Sequence, residues 1–192
     1  MEQRYKLTDE EVISRFQAGD EAAFEELVQR YANKLMNFAY RFVLDKQEAE
    51  DIVQDTFLKV YQNRHAYREI AKFSTWIYTI TANLARTFLR KKRNRKLFLF
   101  SRLGTDEREI DFPSQDRRPD QLVEGQVSEQ MIQQAISKLP EHFKTAVILR
   151  DIQELTYEEI SNIIDAPLGT VKSRINRARL RLQEELAQIR GK

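Results

Sequence analysis

The chain has 192 residues with 32 basic and 30 acidic side chains, so it allows one domain or two small ones and carries a net charge of only +2. It contains no cysteine and only two isolated histidines, His65 and His142, which excludes disulfides and thiolate ligands and argues against a zinc site. No apolar run approaches the roughly 20 residues of a membrane span, and the first residues lack a signal-peptide pattern. We therefore expect a cytoplasmic protein with no cofactor, no metal and no membrane insertion.

Glycine and proline are rare. The chain has 5 glycines and 4 prolines, and neither residue occurs from position 21 to position 103. Because the turns of sheets mostly use these residues, that stretch should be almost purely helical. The expected fold class is all-α, with two small helical domains joined by a flexible linker: an N-terminal helical bundle and a C-terminal helix-turn-helix.

The first helices are marked by their capping residues. Thr8 and Glu11 form a capping box, and Gly19 is placed to end the first helix. Asp20 is an N-cap for the second helix, whose apolar residues recur every three or four positions. Asp45 is an N-cap for the third. The pattern predicts consecutive amphipathic helices that pack as a bundle.

The fourth helix is predicted to begin near Phe73 and to end near Lys96, which closes the N-terminal domain, residues 1–96. Residues 97–127 lose the helical period and contain two prolines and two glycines, so they are predicted to be a linker. The helical pattern resumes at Ser128, which begins a second domain, residues 128–192.

The second domain carries its own capping box, Thr156 with Glu159, which predicts a short helix to about Ile164. A turn at residues 165–167 separates it from a last helix with apolar residues on one side and basic residues on the other. Helix, tight turn and amphipathic helix make a helix-turn-helix, whose second helix can enter the DNA major groove. An ordinary helical hairpin with a solvated basic face is the alternative.

The outward face of this last helix holds the side chains suited to base edges and phosphates. They are Lys172, Ser173, Asn176 and Arg177, flanked by Arg174 and Arg179.

Charge is segregated along the chain. Between Glu69 and Asp106 there are nine basic residues and no acid, and five basic residues without an acid occupy 172–181. Two separate basic stretches on a nearly neutral chain indicate two places where phosphates are bound. The first stretch lies on a helix whose polar face includes Asn83, Arg86, Thr87 and Arg90. Tyr67, in the polar loop before that helix, is a candidate to contact an unpaired base.

An acidic stripe lies on the third helix. Residues 45–55 carry five acids and one lysine, and Glu48, Asp51 and Asp55 are spaced to share one face. A metal-dependent or acid–base enzyme is only weakly supported, because no glycine-rich loop, histidine partner or nucleophile accompanies these carboxylates. A solvated face is the default interpretation, and docking to a basic protein surface is the functional one. No enzyme activity is expected.

Three segments together resemble the extracytoplasmic-function (ECF) sigma factors, the smallest group of the bacterial sigma-70 family. They are residues 51–61 (DIVQDTFLKVY), 73–83 (FSTWIYTITAN) and 167–174 (PLGTVKSR). The resemblance covers both expected domains in the right order. It implies a transcription initiation factor that binds RNA polymerase core and directs it to promoters by recognising their −35 and −10 elements.

The resemblance also implies roles for particular residues. Glu48, Asp51, Gln54, Asp55, Phe57 and Leu58 would contact the clamp helices of the largest polymerase subunit. The −10 set would be Tyr67, Lys72, Asn83, Arg86, Thr87 and Arg90, with an extruded base captured by the loop 63–72. The −35 set would comprise the outward face of the last helix and Arg150. Within it, Arg150 and Arg179 would contact the DNA backbone. The implied partners are polymerase core, double-stranded and locally melted promoter DNA, and an anti-sigma factor.

An autonomous helix-turn-helix repressor or activator is the alternative function. Such a protein would carry a ligand pocket or a dimer interface in its first domain. The acidic stripe and the basic, aromatic-rich region found there instead favour the initiation factor.

Overall fold

The computed structural model describes residues 7–103 and 129–190. Every regular element in these ranges is helical, which confirms the expected all-α class. The N-terminal half contains α1 (Asp9–Gln17), α2 (Glu21–Val43), α3 (Lys46–Gln62), a 3₁₀ turn (Arg64–Ala66) and α4 (Phe73–Leu103). The C-terminal half contains α5 (Glu129–Ser137), α6 (Glu141–Val147), α7 (Tyr157–Ile164) and α8 (Leu168–Arg190).

The predicted caps are confirmed. At the start of α1 the Thr8 amide donates to the Glu11 carboxylate at 2.7 Å, and the Glu11 amide donates to Thr8 Oγ1 at 3.2 Å. Asp20 and Asp45 cap α2 and α3 in the same way, by accepting from backbone amides. Gly19 has a φ of 101°, which a side chain would strain, and it follows the end of α1 as expected.

Helices α1 to α4 enclose one apolar core. The fully buried members include Phe16 of α1, Leu27 and Phe38 of α2, Val60 of α3 and Ile77 of α4. Each comes from the apolar stripe of its helix, so burying the stripes is what packs the four helices together.

Helix α4 continues past the expected end of the N-terminal domain at Lys96 and reaches Leu103. No glycine or proline interrupts the chain before Gly104, so nothing in the backbone stops the helix earlier. The first part of the predicted linker 97–127 is therefore helical. Its remainder, residues 104–127, lies outside the described residues, as does Ser128.

The C-terminal half packs α5 to α8 around Ile148, Ile160, Val171 and Ile175, which are all fully buried. Helix α7 has the predicted start and end, and the capping box of Thr156 and Glu159 is confirmed. One feature was not predicted: α6 passes into a π-helical turn at Ile148–Ile152. Such turns commonly occur at functional sites.

The two halves share one continuous cluster of buried apolar residues and are also joined by polar side chains. Arg41 of α2 donates to Glu129 and Gln133 of α5, each at 3.0 Å. Tyr78 of α4 donates to Oε1 of Gln153 at 2.5 Å, just beyond the π-helical turn. The C-terminal half therefore lies against the same helix, α4, that carries the basic face.

The described helices include none with both the length and the apolar character needed to cross a membrane.

Candidate functional site

The acidic face of α3 is exposed as the spacing predicts. Asp51, Gln54, Asp55 and Leu58 lie one turn apart and point outward, and the Leu58 side chain is 53 % exposed. A leucine exposed among carboxylates is typical of a contact surface for another protein, because it offers apolar area beside charge. We call these four residues the α3 acidic face.

The other two residues expected on this face have different surroundings. Phe57 is 9 % exposed and belongs to the core. Glu48 is held by Lys92 of α4, whose Nζ lies 2.9 Å and 3.0 Å from the two carboxylate oxygens. The structure therefore brings four of the six candidate polymerase-binding residues together on the surface. Phe57 packs in the core on the inner side of the same helix.

A groove along α4 gathers most of the candidate −10 residues. Its accessible volume is about 480 Å³, and its members on α4 recur at positions three and four apart, which places them on one helical face. The lining residues are Asn83, Arg86, Thr87, Leu89, Arg90, Arg93 and Glu141. Three guanidinium groups against one carboxylate make the groove cationic, so it suits a phosphate-bearing ligand. We call it the α4 groove.

Carboxylates from the C-terminal half lie against two of the candidate −10 residues. Lys72 Nζ lies 2.9 Å from Glu159, and Arg86 Nε lies 3.9 Å from Glu141. Partial burial raises the pKa of Glu159, but hydrogen bonds from Thr156 and Lys72 outweigh this effect and hold its pKa below the usual value. The carboxylate is thus ionised at neutral pH and competes with any phosphate for Lys72.

Tyr67 lies in the core and not on the surface. It is 7 % exposed, its ring packs 5.4 Å from that of Trp76, and its hydroxyl donates to the Ala71 carbonyl at 2.9 Å. Burial raises the pKa of Tyr67 to about 12. A base contact by Tyr67 would require this loop to rearrange. The exposed side chains of the loop include His65, Arg68, Glu69 and Ile70.

The outward face of α8 is accessible. Lys172, Ser173, Asn176 and Arg177 are all exposed, while Val171 and Ile175 fix the opposite side in the core. This is the arrangement that a helix needs to enter a major groove.

The flanking arginines are more constrained. Arg179 forms a two-point ion pair with Asp151, at 2.9 Å through Nε and 2.5 Å through Nη2. Arg150 donates to the Leu155 carbonyl at 2.7 Å, with its guanidinium 4.7 Å from the ring centre of Tyr157. Arg179 on α8 and Arg150 in the π-helical turn are thus held in place by their contacts, which suits residues that contact a DNA backbone. Arg174 of α8 is half-buried.

Sequence reasoning missed the residues that oppose or support these candidates. Glu159 was recognised only as a cap, and Glu141 and Asp151 were not singled out, although they pair with Arg86 and Arg179. Their partners are far away in the sequence, so no local pattern reveals them. Within the described ranges no three His, Asp or Glu side chains are grouped so as to hold a metal ion.

Two family models match this chain, and both describe parts of one family. Residues 27–95 match sigma-70 region 2, and residues 129–182 match sigma-70 region 4. The first match contains the α3 acidic face and the residues of α4 that line the groove, and the second contains most of the helix-turn-helix.

Full-length relatives agree with these matches. The ECF RNA polymerase sigma-E factor of Haemophilus influenzae is 35% identical, and the alignment covers 96% of this chain and 98% of that one. The ECF RNA polymerase sigma factor SigW of Bacillus subtilis is 34% identical, with 92% and 96% covered. The solved sigma factor RpoE of Bartonella quintana, in complex with the anti-sigma factor NepR, is 27% identical with a TM-score of 0.67, and 85% and 96% of the two chains are covered.

Proposed function

The chain belongs to the extracytoplasmic-function sigma factors of the sigma-70 family, and on that premise we propose which surfaces carry out promoter-specific initiation. Full-length relatives that are all sigma factors favour an initiation factor over an autonomous helix-turn-helix repressor or activator. We further infer that the chain acts in the cytoplasm, where its promoters are, and that it has no catalytic activity of its own.

The α3 acidic face binds RNA polymerase core. Its carboxylates are repelled by DNA phosphates, so their natural partner is a basic protein surface. Glu48 contributes indirectly, because its ion pair with Lys92 joins α3 to α4.

The α4 groove binds the −10 element. Asn83 and Thr87 supply uncharged groups that can read a base, while Arg86 and Arg90 supply charge for the backbone. Lys72 adds a further cation at the start of the helix. Capture of an extruded base costs a few kcal/mol, so polymerase must already hold the duplex.

The exposed face of α8 binds the −35 element in the major groove. Lys172, Ser173, Asn176 and Arg177 reach base edges or nearby phosphates, and Arg150, Arg174 and Arg179 contact the backbone. In this assignment residues 1–96 form the polymerase and −10 domain, 97–127 the linker and 128–192 the −35 domain. An anti-sigma factor is a further partner, by analogy with the Bartonella quintana complex.

The α4 groove is the observation that carries this proposal, because four of the candidate −10 residues line it together. The test is run-off transcription with purified core polymerase, this chain and a library of genomic promoter fragments. We expect a small set of promoters to be transcribed only when both proteins are present. Binding of promoter duplexes by the chain alone, with no initiation upon adding core, would support the repressor or activator and contradict the proposal.

A further inference from the structure

The loop that joins the 3₁₀ turn to α4 has little structure of its own. Residues 63–72 contain one short helical turn, and Tyr67 is the only side chain of the loop that is buried in the core. A segment of this kind gains conformational entropy when it is released, so a fixed shape requires contacts from outside. Besides the ion pair of Lys72 with Glu159 and the packing of Tyr67 on α4, such contacts come from α1, which precedes the loop by about fifty residues.

Gln17, the last residue of α1, holds the turn at both ends. Its Nε2 donates to the Arg64 carbonyl at 2.7 Å and to the Tyr67 carbonyl at 3.1 Å. The side chain is half-buried, so these bonds are partly shielded from water. One amide group therefore uses both of its hydrogens to fix the width of the turn.

Glu10, two turns earlier on α1, holds the far end of the loop. Its Oε1 accepts a hydrogen bond of 2.9 Å from the amide of Phe73, the first residue of α4. Helix α4 has no acidic residue in its own first turn, so this carboxylate from α1 satisfies a free amide and lies at the positive end of the helix.

We infer that α1 is part of the −10 machinery, and that Gln17 is a positioning residue for the loop 63–72 during base capture. The inference rests on the proposed function, because it assumes that this loop and the α4 groove receive the −10 element. Helix α1 lies outside both segments that match the family models, and neither Gln17 nor Glu10 touches the groove. Their effect on DNA would act entirely through the loop.

The test compares Gln17→Ala with Gln29→Ala, which removes an exposed glutamine from α2. The protein is the full chain bound to polymerase core, on a promoter selected by run-off transcription. Four quantities are measured: the melting temperature of the free chain, its affinity for core, the rate of strand opening by permanganate reactivity, and the preference among the four bases at each position of a single-stranded −10 oligonucleotide.

We expect Gln17→Ala to slow strand opening roughly tenfold, the order of effect of removing two partly buried hydrogen bonds, and to weaken the base preference at one position. Core affinity should stay unchanged, and Gln29→Ala should behave as the wild type. Gln17→Glu keeps the length of the side chain but cannot donate when ionised, so it should reproduce the defect. Normal opening and base preference in both Gln17 variants would overturn the inference. So would a parallel loss of core affinity and melting temperature, which indicates a general folding role.

Asn83→Ala, measured beside them, separates this inference from the proposed function. If Asn83→Ala impairs opening and the Gln17 variants do not, only the role of α1 is wrong. If none of these variants changes opening or base preference, the −10 assignment of the groove is wrong as well.

Discussion

Asp51 and Asp55 stand on the exposed face of α3, without an ion pair among the described residues. Reversing both charges, with Asp51→Lys and Asp55→Lys, should therefore leave the fold intact while turning attraction to a basic polymerase surface into repulsion. We expect the affinity for core polymerase to fall at least tenfold, measured by fluorescence anisotropy of the labelled chain titrated with core, with no change in melting temperature.

The matched control is the double variant Glu25→Lys and Glu184→Lys, which makes the same change in net charge at two exposed sites outside this face. It should bind core normally. If the two double variants bind equally well, the α3 acidic face does not bind polymerase.

The interactions that the sequence predicted correctly are those whose two partners are close together in the chain. Thr8 and Glu11, or Thr156 and Glu159, are three positions apart, so a short motif contains the whole interaction. The bonds from Gln17 span 47 and 50 positions, and nothing near Gln17 indicates where α1 will lie. For the same reason the sequence predicts that Tyr67, an aromatic residue in a polar loop, contacts a base. In the structure its ring packs against those of Phe73 and Trp76.

At the scale of an element, the basic run 90–96 at the end of α4 carries six positive charges in seven residues. Lys91→Gln with Arg93→Gln removes two exposed charges and should weaken promoter binding by the holoenzyme for all sequences. The slope of log affinity against log salt should decrease by roughly 0.9 for each DNA phosphate that the variant no longer neutralises. Filter binding across a salt titration measures this slope.

Two controls limit the interpretation of that slope. Lys34→Gln with Lys59→Gln removes the same charge from exposed sites elsewhere and should leave the slope unchanged. Asn83→Ala changes no charge, so it should also keep the slope while relaxing base discrimination. An unaltered slope in the Lys91 and Arg93 variant would mean that this run does not bind phosphates.

The outward face of α8 is the second element with a testable role. Lys172→Ala and Arg177→Ala should each reduce discrimination at one −35 position by about 1–3 kcal/mol and lower transcription from the selected promoter. Gln183→Ala, also exposed on α8, should have no effect. The measurement is run-off transcription from promoters with single −35 substitutions. An unchanged ranking of these promoters in both variants would leave α8 with a structural role only.

Elements were predicted well where the helical pattern has clear ends. The capping box and the turn at residues 165–167 predicted a short helix to about Ile164, and α7 ends at Ile164. The end of α4 was predicted too early, because basic residues interrupt the apolar stripe near Lys96 although the backbone continues in a helix to Leu103. The π-helical turn at Ile148–Ile152 was not predicted, since a segment of five residues, of which only Ile148 and Leu149 are buried, is too short to change the helical period of the sequence.

At the scale of the whole molecule, the C-terminal half lies over residues that the proposed function assigns to DNA. Glu159 and Glu141 form ion pairs with Lys72 and Arg86, respectively. Their negative charges would repel phosphates that approach the α4 groove. Polar contacts between the halves include those of Gln153, which is hydrogen-bonded to both Tyr78 and Asn37. If the groove receives the −10 element as proposed, we expect the two halves to separate before the DNA enters it.

Joining the two halves covalently should prevent this separation. Asn37→Cys with Gln153→Cys places two thiols where the native side chains lie 3.4 Å apart, in a chain that otherwise has no cysteine, so a short bismaleimide links only these two. We expect the linked protein to lose promoter-directed transcription, and the unlinked double variant to keep it.

The matched control links Lys138→Cys with Glu185→Cys, a pair 2.6 Å apart inside the C-terminal half. That link should leave transcription intact. Normal transcription by the protein linked between Asn37 and Gln153 would mean that the halves need not separate.

Because α4 is uninterrupted, a movement at its first residues is transmitted to its last residues. Its 31 residues span about 45 Å as a single rod that begins at the loop held by Gln17 and ends where the chain leaves toward the second domain. A rod of this length converts a tilt of only about 10° at its promoter end into a displacement of about 8 Å at the other. If the loop before α4 seats a base, as proposed, we expect the departure point of the chain to move and the pull on the second domain to change as the strands part.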